Sequence, residues 1–255
     1  MAETHTKQAD DFYKSLGENY DLMTSDSTRW NDVKLQYDKL FDVFHPRHIL
    51  DAGCGTGGES ILLNDMGFNV TGVDISSEFI RLAMSKLGPN RRGIKFEIDD
   101  LRQLKSVEDG SVDFVNCRGN TLPHLTDETD LRLTLKSFKR TVKKDGLLIL
   151  QWLNYPLIQK QAQRLVGVTG AGDHVFVRFY DFIGDNIVRF NILHMDSDNK
   201  WNTEWISTEL RTWNGDDVGM LLVETGWKNI EIASNIDRSD FDPDRSKNIV
   251  MFATG

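Results

Sequence analysis

Apolar residues recur at helical spacing through residues 5–17 and 29–43, after which the period changes. In the second segment Trp30, Val33, Leu35, Tyr37, Leu40, Phe41 and Phe44 form the expected apolar face, and Pro46 follows its end. From residue 48 onward, short apolar runs alternate with helical patterns. Strands are expected at 48–52, 69–74, 93–98, 112–117 and 147–151, and helices at about 57–66, 77–87 and 128–142. Gly67 stops the first of these helices. Ser76-Ser77-Glu78 caps the second, and Gly88-Pro89 ends it. Lys144-Asp145-Gly146 reads as a turn before the fifth strand. Strands alternating with helices predict an α/β fold with a parallel, doubly wound sheet.

Between 174 and 213 the apolar period is two. Runs at 175–180, 187–193 and 205–211 are separated by the turns Gly184-Asp185-Asn186 and Asp196-Ser197-Asp198-Asn199. These read as an antiparallel insert. A helix at about 215–225, a strand at 228–233 and a closing strand over 247–254 complete the pattern. The expected organisation is an N-terminal helical lid (1–46), a core made of 47–155 and 214–255, and an insert over 156–213.

Composition narrows the function classes. The 255 residues carry a formal net charge of −9, which disfavours nucleic acid as a partner. No apolar run approaches the length of a membrane span. The N-terminus has no apolar signal core. Cys54 and Cys117 cannot form a disulfide framework and read as reduced thiols. The cysteine and histidine spacings typical of metal sites are absent. The expectation is a cytoplasmic protein with a small-molecule partner, no nucleic acid, no membrane and no metal. The oligomeric state is left open.

The candidate chemistry lies in Ile49-Leu50-Asp51-Ala52-Gly53-Cys54-Gly55-Thr56-Gly57-Gly58. An apolar strand enters a glycine-dense turn and then a helix. Asp74 ends the next strand, sixteen residues past Gly58. Glycines let backbone pass close to a ligand, and an acid at that strand tip can accept from both hydroxyls of a ribose. Gly53-x-Gly55-x-x-Gly58 matches the dinucleotide fingerprint, which keeps an NAD-linked oxidoreductase open. The spacing Asp51-x-Gly53-x-Gly55-x-Gly57 fits better elsewhere. A carboxylate beside a pyrophosphate is unfavourable, whereas beside a sulfonium and an ammonium it is tolerable or useful.

That spacing resembles motif I of the class I S-adenosylmethionine-dependent methyltransferases. The closing helix, Glu224-Thr225-Gly226-Trp227-Lys228-Asn229-Ile230-Glu231-Ile232 and the final strand look like the reversed hairpin of that family's Rossmann-like sheet. Within the class, Gly119-Asn120-Thr121-Leu122-Pro123-His124-Leu125 and Asn154-Tyr155 are similar to runs in the glycine/sarcosine N-methyltransferase group. The resemblance implies S-adenosyl-L-methionine as cofactor and methyl transfer, expected on nitrogen, to a small molecule. It implies that Gly53 and Gly55 lie under the methionine part, with Asp51 beside it. Asp74 with Ile75 would hold the ribose, and Asp100 with Leu101 the adenine, Asp99 being the alternative. Arg29 would pair with the cofactor carboxylate, and Cys117 and Arg118 would border the sulfonium. Tyr20, Asn120, His124 and Tyr155 are the candidates for orienting the acceptor or accepting its proton. A catalytically silent cofactor-binding regulator remains a rival.

One departure bears on substrate. The glycine-methylating relatives place an arginine before the Asn-Tyr pair of strand five, where this chain has Leu153. Leucine makes no contact with a carboxylate. Either Arg118, Arg178 or Arg189 substitutes, or the acceptor is not glycine. Trp152, Trp201, Trp205 and Trp213 would suit an apolar or aromatic acceptor if they face the site, and core packing if they do not.

Overall fold

The computed structural model describes residues 11–24, 29–198 and 200–255, with the side chain of Arg29 excepted. The start of the expected 5–17 helix, Asn199 in its turn and the side chain of Arg29 lie outside the described residues. Helical turns at 11–16 (α1) are followed by α2 (Asn19–Thr24), a short helix that the periodicity did not separate, and by α3 (Arg29–Phe41). On α3, Val33, Tyr37, Leu40 and Phe41 are buried. Leu35 is 61% exposed, because it falls out of phase with the i, i+3, i+4 stripe.

The core alternates β1 (His48–Ala52), α4 (Gly58–Asp65), β2 (Asn69–Asp74), α5 (Ser77–Ser85), β3 (Ile94–Ile98), β4 (Val112–Cys117), α6 (Glu128–Thr141) and β5 (Val142–Leu153). On α6, Leu131, Leu135 and Phe138 share one buried stripe, and Asp127 caps the helix by accepting from Thr129 N at 2.7 Å. After β5 come α7 (Tyr155–Lys160), β6 (Leu165–Ala171), β7 (His174–Phe182), β8 (Ile187–Asp196) and β9 (Asn202–Arg211). The chain then returns through α8 (Gly215–Glu224), β10 (Lys228–Ala233) and β11 (Asn248–Thr254).

Seven strands form one sheet in the order β10-β11-β5-β4-β1-β2-β3. The five strands β1–β5 pair in parallel, while β11 is antiparallel to both β5 and β10. The chain winds outward from β1 to β3 and then crosses to β4 on the other side of β1. The crevice beyond the carboxyl ends of β1 and β4 is therefore the switch point where open α/β sheets bind ligands.

Two differences from the sequence reading have physical causes. Strand β5 begins at Val142 and runs through Lys144-Asp145-Gly146. The expected turn is a bulge, with Asp145 at φ 64° and the pairing slipping between Val112↔Val142 and Phe114↔Leu147. The insert is a four-stranded sheet, β6-β7-β8-β9, rather than three strands. Strand β6 contains Gly167 and Gly170, which break the alternation that marked the other three. Trp152 and Trp213 are buried, their indole N–H groups donating to Trp213 O (2.8 Å) and Leu125 O (3.0 Å). Trp201 and Trp205 are exposed.

The helix stripe generates a test. Leu40→Ala should lower stability by about 2–5 kcal/mol through the lost side chain and the cavity it leaves. Leu35→Ala should stay within about 0.5 kcal/mol of wild type. Urea midpoints of the two variants check this, and equal losses would contradict the described orientation of α3.

Candidate functional site

A cavity of about 730 Å³ opens at the switch point, within the usual range for small-molecule sites. Its floor is the turn between β1 and α4. Gly53 N and Cys54 N donate to Val73 O at 2.8 and 3.0 Å. Gly53, Gly55 and Gly57 all have positive φ, at 78°, 55° and 81°, where a side chain is strained. Their surroundings separate their roles. A Cβ on Gly53 would lie 2.4 Å from Thr121, one on Gly57 2.7 Å from the Phe96 ring, and one on Gly58 2.5 Å from Trp30. Those three glycines make room for neighbouring protein. Gly55 lines the cavity, as Gly53 and Gly58 do, but differs in its room, since its nearest neighbour would be Phe79 at 3.9 Å.

Asp74 ends β2 and also lines the cavity. Its two carboxylate oxygens accept from Gly55 N and Ser76 N, both at 2.9 Å. The cap of α5 is Ser76, which accepts from Phe79 N, so Asp74 is not the cap. A carboxylate has about four acceptor positions, more than these two backbone donors use. At the end of β3 the two adjacent acids face different ways. Asp99 accepts from Ser106 N and Oγ, both at 2.6 Å, and does not line the cavity. Asp100 lines it and is held by Arg102, which also reaches Asp130 at 3.1 Å.

A buried charge cluster lies beneath the turn. Asp51 accepts from Ser60 Oγ at 2.5 Å and Asn116 Nδ2 at 3.1 Å. Glu59 takes Arg118 Nη1 at 2.5 Å and the Tyr37 hydroxyl. Burial, and then the Glu59 charge, push the Asp51 carboxyl up to about 7. Among the described residues the cluster sets two acids against one guanidinium, a field that favours a cation in the adjoining cavity.

On the opposite wall, Tyr13 and Tyr20 from α1 and α2 pack against Phe79 with ring centroids 4.8 and 4.9 Å away. The Tyr13 hydroxyl is 2.7 Å from His124 Nε2. Burial holds the His124 pKa down at about 4, so its imidazole is neutral near pH 7. Asn120 and Tyr155 do not line the cavity. They sit behind this wall, with the Asn120 amide donating to the Tyr155 hydroxyl at 2.7 Å. Cys117 is buried and also absent from the lining.

Of the residues expected from sequence, Tyr20, Asp51, Gly53, Gly55, Asp74, Ile75, Asp100, Leu101, Arg118 and His124 are thus brought to one cavity. None of the four tryptophans reaches it, which removes the argument they gave for an aromatic acceptor. Glu59 and Tyr13 line the cavity without having been singled out. The available signals were weak: an acid in a first helical turn, and an aromatic in a generic helical pattern.

Residues 49–146 match a family model described as a methyltransferase domain. The chain carries a class I S-adenosylmethionine-dependent methyltransferase domain. It is 38% identical over 112 residues to the glycine/sarcosine N-methyltransferase of Aphanothece halophytica, covering 44% of this chain and 42% of that protein. It is 36% identical over 121 residues to the glycine N-methyltransferase of Rattus norvegicus, covering 43% and 41%. The matched stretch therefore spans less than half the length of these curated relatives. The fold is shared with an S-adenosylmethionine-dependent methyltransferase from Clostridium acetobutylicum at a TM-score of 0.75 and 19% identity, covering 95% of this chain and 98% of that one. Among the described residues no helix is long and apolar enough to cross a membrane.

The domain's residues fit its cofactor. Gly55 presents an open approach, Asp74 keeps acceptor capacity, and the Asp51–Glu59 cluster accommodates an ammonium. Gly55→Val should fold with reduced stability, since a branched residue at φ 55° is strained by roughly 1–2 kcal/mol or more. It should bind no adenosylmethionine in calorimetry, and normal binding would make Gly55 a packing glycine like its neighbours.

A second test uses pH. Asp51 keeps its proton in the fold up to about 7 but loses it near 3.8 when unfolded. Between those values the folded state binds more protons, so rising pH removes stability. The melting temperature of the ligand-free protein, measured against Asp51→Asn, should show a loss across this window that the variant lacks. Adenosylmethionine affinity should rise across the same window in wild type only. Parallel profiles would exclude Asp51 as the titrating group.

Proposed function

We propose that the chain transfers a methyl group from S-adenosyl-L-methionine to a small-molecule acceptor, on nitrogen, by in-line displacement. The observation that carries this reading is the single cavity bounded by an open glycine, two strand-end acids and a wall of hydrogen-bonding side chains. The glycine N-methyltransferase relatives support a small amine as acceptor.

When bound, the cofactor supplies an activated methyl on a good leaving group. The protein's part is then positioning, which can account for a large share of the acceleration. Asp74 would hold the ribose hydroxyls, Asp100, fixed by Arg102, would accept from the adenine amino group, and Asp51 with Glu59 would compensate the ammonium. Neutral His124, whose Nε2 meets the Tyr13 hydroxyl, and Tyr20 line the cavity where an acceptor amine would present its hydrogens. Asn120 and Tyr155 brace the wall behind them.

The decisive experiment is detection of S-adenosylhomocysteine formed by the purified protein against a library of small amines, alcohols and acids. Asp74→Ala should weaken adenosylmethionine binding tenfold or more, roughly 1.5–3 kcal/mol for a charge-assisted contact. A protein that binds the cofactor but forms no product with any acceptor would be the silent regulator instead. Stabilisation by NAD rather than by adenosylmethionine in a thermal-shift comparison would favour the oxidoreductase.

A further inference from the structure

The inner face of the β6–β9 sheet is apolar toward both ends. Tyr180, Val188 and Leu210 join the main core, while Phe176, Ile192 and Ile206 pack with Phe12, Leu16 and Met23 of the N-terminal segment. Between them, on the same face of β7, lies Arg178. Its cross-strand neighbours are Gly167 and Ile192. Gly167 offers no side chain to compete for the space, and a Cβ there would sit 3.4 Å from an Arg178 Nη.

The guanidinium is under-used. One Nη donates to Thr169 Oγ1 at 2.9 Å, and Nε is buried without a partner among the described residues. The other arginines considered for an acceptor's carboxylate are committed, Arg118 to Glu59 and Arg189 to Glu209. Arg164, on the same insert, has Asp181. Arg178 has no carboxylate within ion-pair reach among the described residues. Burial holds its pKa below the ordinary value, and the side chains acting electrostatically on it are Tyr180 and Tyr20.

Arg178 does not itself line the cavity, but those tyrosines lead from it toward the lining. Tyr20 lines the cavity directly. Tyr180 meets Tyr155 edge-on, with centroids 5.7 Å apart, and Tyr155 accepts from Asn120, which follows the cavity-lining Gly119. Arg178 is half-buried, and its buried Nε, unpartnered among the described residues, is a donor that an anion would answer. Its planar fork suits carboxylate and phosphate oxygens.

We propose that Arg178 is the anion-binding element of the methyl-acceptor site, and that the acceptor carries a carboxylate or phosphate group. This rests on the reading of the cavity as a methyl-transfer site. It supplies from the insert the cation that Leu153 does not supply from strand β5. A neutral or purely cationic acceptor leaves Arg178 unanswered.

Two measurements test this on the full chain. In the first, acetate and inorganic phosphate are titrated by ligand-observed NMR in the presence of S-adenosylhomocysteine. Wild type should bind at least one of them. Arg178→Gln should weaken that binding by about tenfold or more, with Arg178→Lys in between. Preference for acetate or for phosphate tells which anion the acceptor bears. In the second, kcat and KM are compared for amine pairs that differ only in the anionic group, such as an amino acid and its amide. Wild type should favour the anionic member, and Arg178→Gln should erase that advantage through KM. Adenosylmethionine binding and a cooperative circular-dichroism melt certify that each variant is folded, and Arg178→Lys carries the test if Arg178→Gln is not. Binding of neither anion by wild type, equal binding by both variants, or preference for the neutral members would overturn the proposal. Failure to bind adenosylmethionine at all would instead sink the methyl-transfer reading.

Discussion

Two backbone N–H groups, from Gly55 and Ser76, converge on the carboxylate of Asp74. One belongs to the turn after β1 and the other to the start of α5. The acid therefore ties the first two strand ends of the sheet together at the place where the chain winds in opposite directions from β1. Each bond to a charged acceptor is worth roughly 1.5–3 kcal/mol in a half-dry setting. The left-handed backbone at Gly53, Gly55 and Gly57 is tolerated because it lets these donors point inward. The cavity exists because this junction holds the turn open.

Beneath the turn the problem is charge. Asp51, Glu59 and Arg118 sit in a nearly dry cluster with Tyr37, Asn116 and Ser60 supplying hydrogen bonds. A buried carboxylate without full compensation raises its own pKa rather than remain charged. Asp51 does so, and Cys54 beside it is pushed well up by burial and by the charges of Asp74 and Asp51. The site without ligand is thus electrostatically biased toward cations. The same wall explains why Arg118 is poorly placed to hold an acceptor's carboxylate. Its guanidinium already serves Glu59.

Sequence patterning was most informative where structure is local. The run from Ile49 to Gly58 and the strand ending at Asp74 are each set by neighbours in the chain, and the structure places them where the spacing puts them. The choice between Asp99 and Asp100 was not local. It depends on Ser106 taking one acid and Arg102 the other. Strand β6 was illegible because Gly167 and Gly170 remove the alternation, yet Gly167 is what leaves room for Arg178. Tyr13 and Glu59 look like ordinary helix residues. Only the packing of α1 against Phe79 and of α3 against α4 brings them to the site. The tryptophans misdirect for the opposite reason: large aromatics are conspicuous in sequence, but Trp152 and Trp213 are held in the core, their indoles donating to Trp213 O and Leu125 O.

The N-terminal segment covers the cavity through two kinds of contact of unequal strength. Asp21 binds Lys86 and the Thr56 hydroxyl, both at 2.6 Å, and Lys86 also donates to Thr56 O at 2.8 Å. These polar anchors attach directly to the glycine turn, but Lys86 and Asp21 are 33% and 41% exposed. Solvent-screened pairs of this kind contribute about 0–1 kcal/mol. The aromatic contacts of Tyr13 and Tyr20 with Phe79, and the packing of Phe12, Leu16 and Met23 on the insert, bury apolar surface and contribute more. The segment is therefore held mainly by the insert and by α5, and only weakly by the turn itself. Ligand groups that touch both the turn and Tyr20 add to the weaker attachment.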